Sequence, residues 1–260
     1  MKALSILYHD VVVRDFEESG FPGEAAARYK FRRDEFDVHL QEMAKRARCP
    51  ATTFDAGLAQ QSGTPFFMTI DDGGVSAIYV AEQLERSEWR GHFFVTTDFI
   101  DTPAFISRDQ IRWLRKRGHV IGSHSCSHPF RISEIPDEQL REEWRGSVEV
   151  LSEILGESVT VASVPGGFYA PRVTAAAAAA GIRLLFNSEP TMEIEKVDDC
   201  LVLGRFTVYR GLSARYAGKL AAGSRSVLRR QRLLWETKKV LKTVASPLWD
   251  EARQILFSKK

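Results

Sequence analysis

Short apolar runs and periodic amphipathic stretches take turns along this chain. Ala3-Leu4-Ser5-Ile6-Leu7 is one such run, and it ends abruptly in Tyr8, His9 and Asp10. Continuous apolar runs of this length predict strands buried on both faces. Phe66 to Ile70, His92 to Val95, His119 to Ser123, Thr160 to Ser163 and Leu184 to Phe186 read the same way. Between them apolar residues recur three and four apart, the period of a helix with one buried face. Val75 to Arg86 carries Ile78, Val80, Ala81 and Leu84 on one side, and Ser107 to Arg117 repeats the pattern. Pro136 to Leu155 predicts a long amphipathic helix stopped by Gly156, and Val173 to Ala180 an alanine-rich one closed by Gly181.

Strand and helix in regular succession predict a parallel sheet or barrel, with its chemistry on loops after the strands. That rhythm stops near Arg205. Residues 224–245 read instead as a basic amphipathic helix, with Leu228, Leu233, Leu234, Val240, Leu241 and Val244 among arginines and lysines. Ser246-Pro247 breaks it, and Trp249 to Phe257 predicts a last short helix. The expected division is a barrel over residues 1–210 and a basic helical extension over 211–260.

Composition changes the picture in three places. At 260 residues with 44% apolar content, the chain suits one α/β barrel with a full core. Cys49, Cys126 and Cys200 are scattered, with no CxxC pair, which predicts reduced thiols rather than a disulfide frame. The N-terminal apolar run is too short for an export signal and no apolar segment is long enough to span a membrane, so the expected location is cytoplasmic. The net charge of +2 hides an asymmetry, because residues 205–260 carry a net +11 and residues 1–204 a net −9. A basic tail on an acidic body predicts contact with something anionic, such as a phospholipid surface, a lipid-linked phosphate or nucleic acid, or else helices that pack on the barrel with their lysines and arginines solvated. No nucleic-acid recognition motif accompanies the tail.

Two stretches hold candidate chemistry. Thr69-Ile70-Asp71-Asp72-Gly73-Gly74 places adjacent carboxylates at a strand end. Two like charges so close destabilise each other unless a cation or proton separates their roles. His124-Ser125-Cys126-Ser127-His128-Pro129 follows another strand. On a helical turn, residues four apart share a face, so the two imidazoles would converge on one ion, and imidazole with carboxylate suits Zn²⁺. Cys126, two residues from each histidine, is expected to point away and pack.

Taken together, TIDDG at Thr69 to Gly73 and HSCSH at His124 to His128 resemble the first two motifs of the NodB-type polysaccharide deacetylases, metal-dependent carbohydrate esterases. Ser163-Val164-Pro165-Gly166-Gly167-Phe168-Tyr169 resembles their third, and the likeness runs from about Leu4 to Arg205. One branch, resembling the poly-N-acetylglucosamine deacetylases, has an early Tyr-His and lacks a late Leu-x-His; this chain has Tyr8-His9 and no histidine after His128. The resemblance implies a deformed (β/α) barrel of the NodB type and an N-deacetylase acting on an N-acetylated saccharide in surface polysaccharide synthesis. It implies a metal held by Asp72, His124 and His128, with Asp71 as base and His9 as acid. A backbone N–H in the Pro165-Gly166 turn would meet the oxyanion, and Tyr169 would lie at the substrate side. Glu189, in the turn Asn187-Ser188-Glu189-Pro190, is a candidate sugar contact.

Zn²⁺ is the expected metal, with Co²⁺, Ni²⁺ or Fe²⁺ as alternatives in a site of two histidines and one carboxylate. Many family members place an arginine where this chain has Ser163, which leaves the orientation of Asp71 without an agent. His39, His92 and His119 are expected to be structural, and Trp89, Trp113 and Trp144 to be core or rim. Alternative functions are hydrolysis of another amide on the same barrel and non-catalytic saccharide binding. The basic tail, with a lipid-linked saccharide as substrate, would place the protein peripherally at the inner membrane.

Overall fold

In the computed structural model, which describes residues 1–55 and 63–237, the apolar runs pair into one nine-stranded sheet. Its strands are β1 (Leu4–Tyr8), β4 (Phe66–Ile70), β5 (Gly91–Val95), β6 (Val120–Ser123), β7 (Val161–Ser163), β8 (Leu184–Phe186), β9 (Ile194–Val197), β10 (Cys200–Leu203) and β11 (Phe206–Thr207). A two-stranded ribbon joins β2 (Val11–Val12) to β3 (Phe31–Arg32). The main sheet runs β11-β1-β4-β5-β6-β7-β8-β10-β9, and every pairing is parallel except β9 with β10. The result is a curled half-barrel, the deformed α/β barrel expected from the sequence. Beyond the ladder, Lys2 bridges Glu193, which brings the start of β1 against the segment before β9.

Every residue of β1, β4 and β5 is buried, as their uninterrupted apolar runs require. The helices on the outside are α1 (Glu24–Ala27), α2 (Arg33–Arg46), α3 (Ala77–Arg86), α4 (Arg108–Lys116), α5 (Asp137–Leu155), α6 (Pro171–Ala179) and α7 (Ala214–Ala221). Ser107 caps α4 by accepting from the Gln110 N–H, while the Gln110 side chain accepts from the Ser107 N–H. Helix α6 starts two residues before the expected Val173, because Pro171 occupies its first turn, where a missing N–H costs nothing.

Several elements were not anticipated. Helix α2 buries Phe36, His39, Leu40 and Met43, a helical stripe in which a histidine takes an apolar place. The β9–β10 hairpin has a half-exposed, charged edge strand, Ile194–Val197, with no apolar run to reveal it. Past Arg205 the strand β11 completes the sheet, and α7 then packs along α2. Gly218 makes that approach possible, since a Cβ there would lie 2.7 Å from the Glu42 carbonyl oxygen. Ala217, Leu220, Ala221 and Val227 join the core that contains Tyr8, Phe36 and Met43. The segment after residue 210 therefore begins within the barrel's packing.

Helical backbone covers 225–237; the rest of the expected 224–245 helix and the 249–257 helix lie outside the described residues. No helix among the described residues is long and apolar enough to cross a membrane. His39 accepts or donates one hydrogen bond with the Tyr8 hydroxyl at 3.0 Å; His92 accepts from the Phe54 N–H and His119 from the Gly91 N–H. Trp89 and Trp144 are buried, and Trp113 is partly so.

Candidate active site

Parallel ladders put the ends of β1, β4, β6 and β7 on one rim, and there the singled-out residues meet. Strand β4 runs directly into Asp71 and Asp72. The Asp71 N–H donates to the Tyr8 carbonyl, continuing the ladder, whereas Asp72 turns into the left-handed region at φ 78°. A continuing strand would turn the two side chains to opposite faces; after this reversal both carboxylates approach His124 Nε2, at 3.8 and 3.5 Å.

Ligand atoms of Asp72, His124 and His128 all lie within 4.8 Å of one another. His124 Nε2 is 3.5 Å and His128 Nε2 3.7 Å from Asp72 Oδ1. The convergence of the two imidazoles does not come from a helical turn, as the spacing suggested. Residues 124–128 form an irregular loop in which Ser125 (φ 64°) and His128 (φ 58°) are both left-handed. Left-handed conformations at non-glycine residues persist only where the surroundings enforce them.

The enforcement is visible. Buried Glu143, from α5, accepts from the N–H groups of Cys126 and Ser127 at 2.9 Å each and from the Ser127 hydroxyl at 2.5 Å. The Ser125 hydroxyl accepts from the His128 N–H, and the Ser125 and Cys126 carbonyls accept from Thr97 and Asp98. Cys126 points away from the ligands, with Sγ toward the Glu142 carbonyl and its thiol pushed up to about 11, chiefly by burial.

Asp71 answers the question left by Ser163. The guanidinium of Arg205, entirely buried between β10 and β11, donates to Asp71 through two nitrogens, Nη1 to Oδ1 at 2.7 Å and Nη2 to Oδ2 at 2.9 Å. The Ser163 hydroxyl donates to the same Oδ1 at 3.2 Å. Having given its proton there, Ser163 Oγ accepts from His124 Nδ1 at 2.6 Å. This fixes the tautomer, leaving His124 Nε2 with its lone pair toward Asp72. Burial opposes ionisation of Asp71, yet Arg205, then His124 and His9, hold its carboxyl below the ordinary range. Burial likewise works against Asp72, and His124, His9 and His128 outweigh it still more strongly. Burial and the neighbouring His124 push His128 down to about 4.

Arg205 is the functional residue that sequence reasoning missed. Its signal was a single charge inside Val202-Leu203-Gly204-Arg205-Phe206, an apolar run in which an unpaired arginine is not expected. The turn after β8 serves it. Arg205 Nε donates to the Asn187 carbonyl and its N–H to the Glu189 carbonyl. The Glu189 side chain is half-buried, and its charge acts on Tyr169.

His9 lies past the end of β1, next to Tyr8, which is fully buried against His39. Its ring stacks at 4.9 Å on Tyr29, its Nδ1 is buried without a hydrogen-bond partner, and its charge acts on both Asp71 and Asp72. Beside it Asp10 accepts from the hydroxyls of Ser19 and Ser76. Lys30, fully buried, donates to the carbonyls of Phe16, Ser19 and Phe21 at 2.6 Å each, and so holds Phe21 against the His128 ring at 4.7 Å.

The third motif forms a tight turn over Pro165–Gly167. Gly166 has φ 64°, and a Cβ there would lie 2.5 Å from the Phe130 carbonyl oxygen, so only glycine fits. The Tyr169 hydroxyl is bonded to the Thr174 hydroxyl at 3.0 Å.

A half-barrel of parallel strands thus gathers paired aspartates and an HxxxH loop at one rim. Residues 42–185 match the family described as Polysaccharide deacetylase, and the chain belongs to that family. An uncharacterized 30.6 kDa protein of Geobacillus stearothermophilus is 26% identical over 134 residues, which are 50% of this chain and 49% of that protein. The match thus spans about half the length of this curated relative. In fold, the chain is similar to the deacetylase PplD of Streptococcus pyogenes, solved with acetate, at TM-score 0.68 and 17% identity over 82% of this chain and 95% of that one. It is also similar to IcaB of Ammonifex degensii, at TM-score 0.67 and 20% identity over 85% and 97% of the two chains.

Proposed function

We propose that this chain hydrolyses the acetamide of an N-acetylated saccharide, with a divalent metal held by Asp72, His124 and His128. One observation carries the reading: three ligand atoms converge within 4.8 Å next to a second carboxylate, Asp71, that is held apart by its own arginine. The donor set fits a cation. Two imidazole nitrogens and a carboxylate oxygen converge there, and burial with the neighbouring His124 pushes His128 down to about 4. Two imidazoles and a carboxylate favour Zn²⁺, with Co²⁺, Ni²⁺ and Fe²⁺ as competitors. A cation bound there supplies Lewis acidity toward the acetamide carbonyl and toward water.

The protein's own groups do the rest. Asp71 takes the proton of the attacking water, and Arg205 with Ser163 keeps its carboxylate ionised and aimed. The Gly166 N–H faces the developing oxyanion. His9 gives a proton to the departing amine, which cannot leave as an anion. Its electrostatic action on both Asp71 and Asp72 supports this role. Tyr169 and Glu189 are the proposed saccharide contacts at the rim.

The Tyr8-His9 pair supports placing the chain with the poly-N-acetylglucosamine branch. The basic tail supports a cytoplasmic enzyme, peripheral to the inner membrane, acting on a lipid-linked saccharide in surface polysaccharide synthesis. The test is acetate release from a panel of N-acetylated saccharides, with chelator and with each metal restored. Release that chelator abolishes and metal restores is expected. Saccharide binding without release under any metal would leave a binding protein instead.

A further inference from the structure

A cavity lined by basic residues lies among the C-terminal helices, and none of its walls belongs to the site around Asp71. It measures about 270 Å³ and is lined by Ser213, Arg215, Tyr216, Lys219, Ser226 and Arg230, from α7 and the helix over 225–237. Its lining residues include three cations, two aliphatic hydroxyls and a phenol beside the apolar Val227, and no carboxylate. Some exposed arginines are paired, Arg112 with Asp109, Arg141 with Glu138, Arg145 with Glu142, and, next to the cavity, Arg232 with Glu236. Arg215, Lys219 and Arg230 have no such carboxylate partner among the described residues.

Like charges gathered without counter-charge repel one another, at a cost that an oxyanion would remove. The volume lies just below the range of roughly 300–1,000 Å³ common for small-molecule pockets, which suits a phosphate with its glycerol. The helix that supplies Ser226 and Arg230 continues on the same face to Leu233 and Leu234. Those side chains are 62% and 48% exposed, although Val227, on the adjoining face, is buried. A basic cavity beside two uncovered leucines matches a headgroup phosphate beside its acyl layer.

We propose that this cavity binds the phosphate of an anionic lipid headgroup, with Leu233 and Leu234 entering the apolar layer beside it. The inference is independent of the chemistry at Asp71, and neither stands or falls with the other.

The test uses the full chain, phosphatidylcholine vesicles with and without phosphatidylglycerol, and soluble glycerol phosphate. Lys219→Gln with Arg230→Gln removes two cavity cations. Arg86→Gln with Lys116→Gln removes the same charge at exposed positions on α3 and α4, away from this helix. All four side chains are exposed, so both variants are expected to fold, which circular dichroism checks. At roughly 1 kcal/mol per basic residue near the surface, the cavity variant should lose about tenfold or more in affinity for phosphatidylglycerol vesicles, and the control less than about threefold. Leu233→Ser with Leu234→Ser should weaken vesicle binding and leave glycerol phosphate binding unchanged. Equal losses in the two charge variants would reduce the effect to diffuse attraction and overturn the proposal. Unaltered vesicle binding in the leucine variant would overturn the lipid as the phosphate's source.

Discussion

Replacing Arg205 with methionine tests the device that governs Asp71. The guanidinium is 0% and the Asp71 side chain 3% exposed, and they are joined through two nitrogens. Removing one partner of such a buried pair leaves the other charge stranded, at a cost of about 3–5 kcal/mol. For a chain of this size that corresponds to a fall in Tm of roughly 10 °C. Arg205→Met also frees the Asn187 carbonyl, so the loss must be apportioned by a double-mutant cycle with Asp71→Asn. The neutral amide removes the stranded charge, and the double variant should recover a large part of the stability. The pair also has a pH signature. Asp71 is held below its ordinary pKa, so its stabilisation is present above about pH 4 and is lost as pH falls below that value. Urea unfolding of all four proteins at pH 7, followed by circular dichroism, reads the coupling directly. A coupling near zero, or an Arg205→Met loss no larger than that of the exposed Arg141→Met, would refute the reasoning.

Asp71→Asn should keep affinity for Zn²⁺ by calorimetry while lowering turnover by about 10²–10⁴-fold; lost metal affinity would exchange its role with that of Asp72. His9→Ala should slow cleavage of an acetamide much more than that of an activated aryl acetate, whose leaving group needs no proton, and equal losses would demote His9 to positioning. Burial pushes His92 down to about 4, so as pH falls from about 6.5 the unfolded chain takes up a proton that the folded chain refuses, and about 3 kcal/mol should drain away by pH 4. His92→Phe should flatten that slope in denaturation midpoints between pH 7 and 4.5; identical slopes in the two proteins would mean another group is responsible. Ending the chain after Arg210 should abolish cooperative unfolding, because Ala217, Leu220, Ala221 and Val227 leave the core, and a cooperatively folded truncate would show that this layer is dispensable.

Strands such as Phe66–Ile70 were legible because burial on both faces writes itself as unbroken apolar sequence. Residues Asp71, Asp72, His124 and His128 were legible because they follow such strands at once, so one-dimensional order already placed them on one rim. What escaped was whatever depended on distant partners. Arg205 looks like any arginine until the sheet sets it beside Asp71, 134 residues away. Glu143 lies in a helix rich in carboxylates, and only packing shows that it is buried and holds the HxxxH loop. The shape of that loop was misjudged for a related reason. Spacing of four suggests a helical turn, whereas the left-handed Ser125 and His128 achieve the same convergence through hydrogen bonds that sequence does not display. The β9 edge was missed because half-exposed strands carry no continuous apolar mark.

The long reach from Asp71 to Arg205 also has a consequence for how the molecule comes into being. A ribosome delivers Asp72, His124 and His128 well before Arg205, so the ligand set can be complete while the chain is still growing. Asp71 must wait. Until β10 and β11 emerge and dock, its carboxylate has no guanidinium, and the sheet that would bury it carries an open edge next to β1. Vectorial synthesis thus separates two events that the finished structure presents as one. On the proposed roles, capture of a cation would come early, and the base would be armed last, with the final pair of strands.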